Sequence, residues 1–298
     1  MAVTTADTFS ATPALAAPRE SWMSSARTLW GVAFLLPYVI VFVLFVVYPV
    51  LYGLWLGRDP AIYRELFRDP TFFRAFTNTI IFLLVAVNLK FLLALGLSGF
   101  FAVQRPWIRI ILVLFILPWA VPSIPTILSM RFMLNSEFGV INQELFRWFG
   151  IDGPGWLTNV NLAFGAAIFA HIWKSLPFWT LILLTGRLAI PQDLYEAAEV
   201  DGASRWQQFR HITWPSIATL YLSSTVLSMI WTLGDYNSVY LLTGGGPGDQ
   251  THVLATLGIR YLRIDKLSLG IASIITAMPF VLPLVYLMVK RLSKGPDE

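Results

Sequence analysis

Glu196-Ala197-Ala198-Glu199-Val200-Asp201-Gly202-Ala203-Ser204, running on through Phe209 and Ile212 to Pro215, is the stretch that decides the fold. It is a polar break in a chain that is otherwise mostly apolar, and its chemistry predicts two short helices around a bend. Pro191 suits a first helical turn, where its missing N–H is not needed. Gln192 to Glu199 holds good helix formers, among them Leu194, Glu196, Ala197 and Ala198. Gly202 permits the left-handed backbone that ends such a helix. Ser204, with Gln207 three residues later, has the spacing of a capping box for a second helix. Pro215 is expected to close that helix before the next apolar run. Local pattern alone also fits an ordinary polar loop between two membrane spans.

The chain around this break reads as membrane. Of its 298 residues 56% are hydrophobic and 13% charged, whereas soluble domains carry about 25% charged residues. It has no cysteine, which excludes disulfides and thiolate metal sites. His171, His211 and His252 are far apart and form no metal-ligand motif. The net charge of +4 comes without a basic cluster, so nucleic acid is not an expected partner.

A spanning helix needs about 20 mainly apolar residues. Six stretches supply them: near Trp30 to Tyr52, Asn78 to Val103, between Arg109 and Arg131, Leu162 to Leu184, from Pro215 to Asp235, and between Lys266 and Lys290. Six spans put both ends on one side. Residues 1–28, rich in Ala, Thr, Ser and Pro, read as a disordered tail, residues 29–292 as one membrane domain, and residues 293–298 as a second tail. No short apolar core precedes a small-residue cleavage site, so the start does not read as a cleaved signal peptide. The segment Val140 to Phe149 reads as an amphipathic outer helix. Lys and Arg divide almost evenly between the two sides, so charge bias does not set the orientation.

No hydrolytic constellation is visible. Gly244-Gly245-Gly246-Pro247-Gly248 lacks the Lys-Ser/Thr ending of a phosphate loop and reads as a turn. Pro118, Pro122 and Pro125 in the third span and Pro177 in the fourth mark either a transport pathway or plain kinks. Lys90, Lys174 and Asp235 lie in or beside spans, where a charge facing lipid costs roughly 2.5–3.5 kcal/mol. They either line a solute path, or else Lys174 snorkels or pairs with a neighbour and Lys90 faces a second subunit. Trp231, Asp235, Tyr236 and Asn237, with Tyr240 beyond, offer aromatic faces and polar groups suited to a polyhydroxylated solute. On a helix, positions 231, 235 and 238 would share a face. The alternative is an aromatic belt at the membrane interface.

The residues of the polar break, Glu196-Ala197-Ala198, Asp201-Gly202-Ala203, Phe209, Ile212 and Pro215, resemble the EAA loop of permease subunits in ATP-binding-cassette importers. The resemblance extends through Asn78-Thr79, Leu117-Pro118-Trp119, Phe138 to Asn142, Ile172-Trp173-Lys174 with Pro177-Phe178, and Leu242-Thr243 with Gly245-Gly246-Pro247. The last group is similar to the carbohydrate-uptake branch, which includes maltose and glycerol-phosphate permeases. The loop after the first span departs from the branch in lacking its usual Gly-Leu-x-Asn-Tyr stretch.

The resemblance implies an all-α polytopic membrane protein with the six transmembrane helices of the type I importer permease fold. It places the loop 191–215 and both termini in the cytoplasm and the chain in a bacterial inner membrane. Glu196, Ala197, Ala198, Asp201, Gly202, Ala203 and Ser204 are then the coupling helix that meets an ATPase. The implied partners are a second permease subunit, two ATP-binding subunits, an extracytoplasmic solute-binding protein, the bilayer and a sugar or sugar-like solute. No cofactor belongs to this chain, since ATP and magnesium sit on the ATPase, and the chain is not itself an enzyme. The competing reading is an ion-coupled secondary transporter or channel working through Lys90, Lys174 or Asp235.

Overall fold

The computed structural model describes residues 26–103 and 105–292, with side chains described from 29 to 290. The tails expected at 1–28 and 293–298 lie outside these residues, apart from positions 26–28, which already open the first helix, Ala26–Phe42. Among the described residues five helices are long and apolar enough to cross a membrane, or six if one bent pair is counted as a broken span.

The first span, Leu29–Leu56, belongs up to Trp55 to a unit of its own. It passes through one wide π-helical turn at Val43–Val47 and buries none of its apolar side chains within that unit. A helix apolar all round needs lipid or another chain as its surroundings.

The remaining spans form the second unit, residues 56–298. The second span, Pro70–Phe101, starts earlier than hydropathy suggested. Asp69 caps it by accepting from Thr71 N at 2.8 Å, with Pro70 in the first turn. The fourth, Val160–Leu188, is capped by Asn159, which accepts from Asn161 N and Leu162 N. These two helices pack along their length, with Val87, Phe91 and Ala94 against Trp179 and Leu183. Nearer the start of the fourth span, Ala167 and Ala170 pack beside Phe82, Ile127 and Val239. Small residues at such a contact let helices approach closely inside a bilayer.

The third span is broken. Pro106–Ala120 and Ser123–Met133 meet at 95°. Pro122 lies at the joint with ψ 144°, and the break falls where its ring removes a donor. The fifth span also differs from expectation. Pro215 does not end a helix: Arg205–Gln208 runs through a π-helical turn, Phe209–Thr213, into Trp214–Leu233. Pro215 sits in the first turn of that last segment, where its lost N–H is tolerated. The helix then stops at Leu233 and restarts as Asn237–Thr243. The sixth span, Leu267–Lys290, is likewise split, into Leu267–Ile275 and Met278–Leu292.

Val140–Phe149 forms the amphipathic helix that its sequence pattern predicts. The glycine-rich segment is a turn, with positive φ at Gly244, Gly245 and Gly248. Asn78 of the second span pins the chain that follows it, donating to the carbonyls of Gln250 at 2.7 Å and His252 at 2.9 Å. Asp249 in that segment takes Arg260 at 2.7 Å, and this guanidinium holds its carboxyl below the usual carboxylate range.

Candidate solute cavity and coupling loop

The break in the fifth span opens onto a cavity of about 610 Å³. Its wall is a column of stacked rings. Trp119 lies against Phe178 with centroids 5.5 Å apart, and Phe178 against Trp231 at 5.6 Å, both nearly parallel. Trp231 is 55% exposed, so its ring faces open space rather than the helix core. Tyr236 and Asn237 contribute polar groups where the helix is interrupted, and Lys174 stands at the side of the third span. Trp231, Asp235, Tyr236 and Asn237 therefore share one cavity, though not through one helical face. Thr232, one step from Trp231, turns inward instead and is buried.

Asp235 lies in the gap between the two helical pieces. Its Oδ1 accepts from Ser238 N at 3.1 Å, an Asx-type turn that restarts the chain. Its Oδ2 accepts from His171 Nδ1 at 2.5 Å. The other ring nitrogen, Nε2, is 3.2 Å from Lys90 Nζ. An ammonium has only donors, so Nε2 accepts and Nδ1 carries the hydrogen given to Asp235. Thr232 Oγ1 closes the group at 3.3 Å from Nε2. Lys90 is 1% exposed. It faces neither lipid nor a second subunit, but supplies the buried positive charge that balances Asp235 across three spans. Both carboxylate oxygens of Asp235 already hold a partner, so of the four residues expected at the site Trp231, Tyr236 and Asn237 are the ones whose side chains are not tied to that buried group.

Lys174 does not snorkel. Its ammonium donates to Pro118 O at 2.9 Å and Val121 O at 2.6 Å. These carbonyls belong to the helix end at the 95° bend, which a cation suits. The proline break in the third span and the lysine of the fourth that touches it are one feature.

Sequence reasoning did not find His171, Trp119 or Phe178 as cavity residues. His171 could have been noticed as an ionisable group in a span that also holds Lys174. A second cavity of about 430 Å³, among Met130, Met133, Trp156 and Phe169, is almost wholly apolar and suits hydrocarbon rather than a polar solute.

The polar loop 191–215 is built as its residues dictate. Gln192–Val200 is helical, with Pro191 just before it as N-cap (φ −56°, ψ 133°) rather than inside the first turn. Gly202 has φ +74°. Gly202 N donates to Glu199 O at 3.0 Å and Ala203 N to Ala198 O at 2.9 Å, the paired bonds of a Schellman ending. Ser204 and Gln207 form the capping box in both directions, Ser204 N to Gln207 Oε1 and Gln207 N to Ser204 Oγ. Glu196, Ala197, Asp201, Gly202 and Ser204 are exposed, while Ala198 and Ala203 are half-buried. Leu194, Val200 and Trp206 add exposed apolar surface, Val200 at 89%. A polar loop that keeps such side chains outside is shaped for a protein partner.

The family profile described as "Binding-protein-dependent transport system inner membrane component" matches residues 91–295. The chain belongs to this family. It is therefore a multi-pass inner-membrane permease. It is 33% identical over 278 residues to the trehalose/maltose transport system permease protein MalF of Thermococcus litoralis, covering 88% of this permease and 93% of that one. It is 32% identical over 292 residues to the sulfoquinovosyl glycerol transport system permease protein SmoG of Agrobacterium fabrum, covering 91% and 93%. The fold matches a chain in the crystal structure of a bacterial alginate ABC transporter in complex with an alginate pentasaccharide-bound periplasmic protein. That match has a TM-score of 0.76 at 24% identity, over 88% of this permease and 93% of that chain.

Proposed function

We propose that this permease admits a sugar or sugar-like solute through the cavity lined by Trp119, Phe178 and Trp231, with Tyr236 and Asn237 meeting its hydroxyls. The observation that carries this reading is the ring column beside the polar break in the fifth span. Flat apolar faces match sugar C–H faces, and a few placed polar groups fix orientation. The names of the relatives, which concern trehalose or maltose and sulfoquinovosyl glycerol, support the same solute class.

In this reading the exposed loop 192–204 docks on an ATP-binding subunit, so that it and both termini are cytoplasmic. Two such subunits carry ATP and magnesium, a second permease completes the pathway, and an extracytoplasmic binding protein delivers the solute. ATP does work only by favouring one conformation over the other, and the docked loop is where that difference enters this chain.

Trp231→Ala and Asn237→Ala are each expected to reduce uptake about tenfold, a loss of about 1.4 kcal/mol, while assembly and binding-protein-stimulated ATP hydrolysis persist. Both activities are measured in one reconstituted complex. Unchanged uptake kinetics in both variants would place the solute path elsewhere.

A further inference from the structure

We propose that Arg187 and Phe209 form a clamp that transmits movement of the coupling loop to the solute cavity. The proposal rests on the reading that this loop docks on an ATPase. Arg187 stands in the last turn of the fourth span. Its Nε donates to Ser98 Oγ at 2.8 Å and its Nη2 to Leu95 O at 3.0 Å, both on the second span. Ser98 Oγ in turn donates to Leu95 O at 2.9 Å, so the acceptor is itself fixed. The guanidinium lies 5.7 Å from the centroid of Phe209, within cation–π range. One side chain therefore joins the ends of the second and fourth spans to the π-helical turn that follows the coupling helix. Its partners are a hydroxyl, a carbonyl and a ring, not a carboxylate, and such a fork is geometry that lysine does not reproduce.

Phe209 also heads a continuous run of aromatic contacts. It stacks on Trp206 of the loop at 5.4 Å and touches Trp214 at 6.4 Å. Trp214 meets Tyr221 at 5.3 Å, Tyr221 meets Phe91 at 5.4 Å, and Phe91 meets Trp179 at 5.2 Å. Trp179 meets Trp231 in the cavity wall at 5.6 Å. The run crosses between the second, fourth and fifth spans, so it ties them together along the whole distance from loop to cavity. The loop itself is loosely held. Of residues 192–213 only Thr213 is buried, where Tyr195 meets its hydroxyl at 2.9 Å. A loop with so few anchors passes its displacement through them, and packed aromatic contacts are stiff enough to carry it.

The test uses the full reconstituted importer. Arg187→Ala and, separately, Ser98→Ala, which removes only the acceptor, are compared with wild type. Four quantities are read: ATPase co-purification, basal ATP hydrolysis, its stimulation by the loaded binding protein, and uptake. Co-purification and basal hydrolysis are expected to stay within about twofold, while stimulation and uptake fall about tenfold, within the usual range of coupling energies. Arg187→Ala combined with Phe209→Leu is expected to be no worse than Arg187→Ala alone, because the two act as a unit. Full stimulation in both single variants overturns the clamp, and so does loss of co-purification, which would make Arg187 part of the docking surface. A wild-type permease that binds no ATPase would fail the docking reading itself, and is recognised before any variant is made.

Discussion

Asp235→Asn is expected to destabilise the assembled permease by about 3–5 kcal/mol, the cost of leaving a buried charge without its partner. Lys90 is almost wholly buried, and the carboxylate that balances it is reached through one imidazole. Asparagine keeps the size of the side chain and much of the turn to Ser238, but removes the negative charge. Adding Lys90→Met to Asp235→Asn is expected to restore most of the loss, since removing both charges of a buried pair is often close to neutral. Unfolding of the detergent-solubilised complex, followed for both singles and the double, gives the coupling directly. A double variant as unstable as the sum of the singles would show that the two residues do not act on one another.

Gly202→Val is expected to abolish uptake while leaving membrane insertion unchanged. A Cβ at Gly202 would meet nothing within 4 Å, so the cost is not crowding. It is the backbone: at φ +74° a β-branched residue is strained by roughly 1–2 kcal/mol or more. The Schellman bonds from Gly202 and Ala203 would open, and the end of the coupling helix that carries Val200 would lose its position. Gly202→Asn makes the control, because asparagine tolerates the left-handed region. Co-purification of the ATPase and uptake are the readouts, with loss in the valine variant and near-normal values in the asparagine one. Full activity with valine would contradict the role given to this turn.

These two residues also show what was legible in the sequence. Gly202, Ser204 and Gln207 act through neighbours three to five residues away, so spacing alone predicts their bonds. Asp69 and Asn159 cap their helices through bonds just as local, yet the hydropathy reading began both spans later, near Asn78 and Leu162. Pro215 was misjudged because a π-helical turn ahead of it accommodates the ring, and no local pattern announces such a turn. Lys90, His171 and Asp235 are separated by 81 and 64 residues, and their meeting depends on how three spans pack. The fifth helix is interrupted before Asn237, with Asp235 in the gap and turned to that group, so the face drawn through residues 231, 235 and 238 does not exist. Trp119 and Phe178 join the cavity for the same reason: the third span bends at Pro122 and Lys174 fastens the bend. Prolines in the sequence marked where a break was possible, but not which lysine would hold it.

Residues 192–204 are expected to engage an ATPase from the cytoplasmic side. A single cysteine at Ala197 tests it most directly, because the native chain has none and Ala197 is exposed. In the assembled importer, a short bifunctional reagent is expected to cross-link position 197 to the ATP-binding subunit. An impermeant thiol reagent added outside intact cells is expected to leave it unlabelled. Labelling from outside, or an active importer in which position 197 forms no cross-link, would contradict the account.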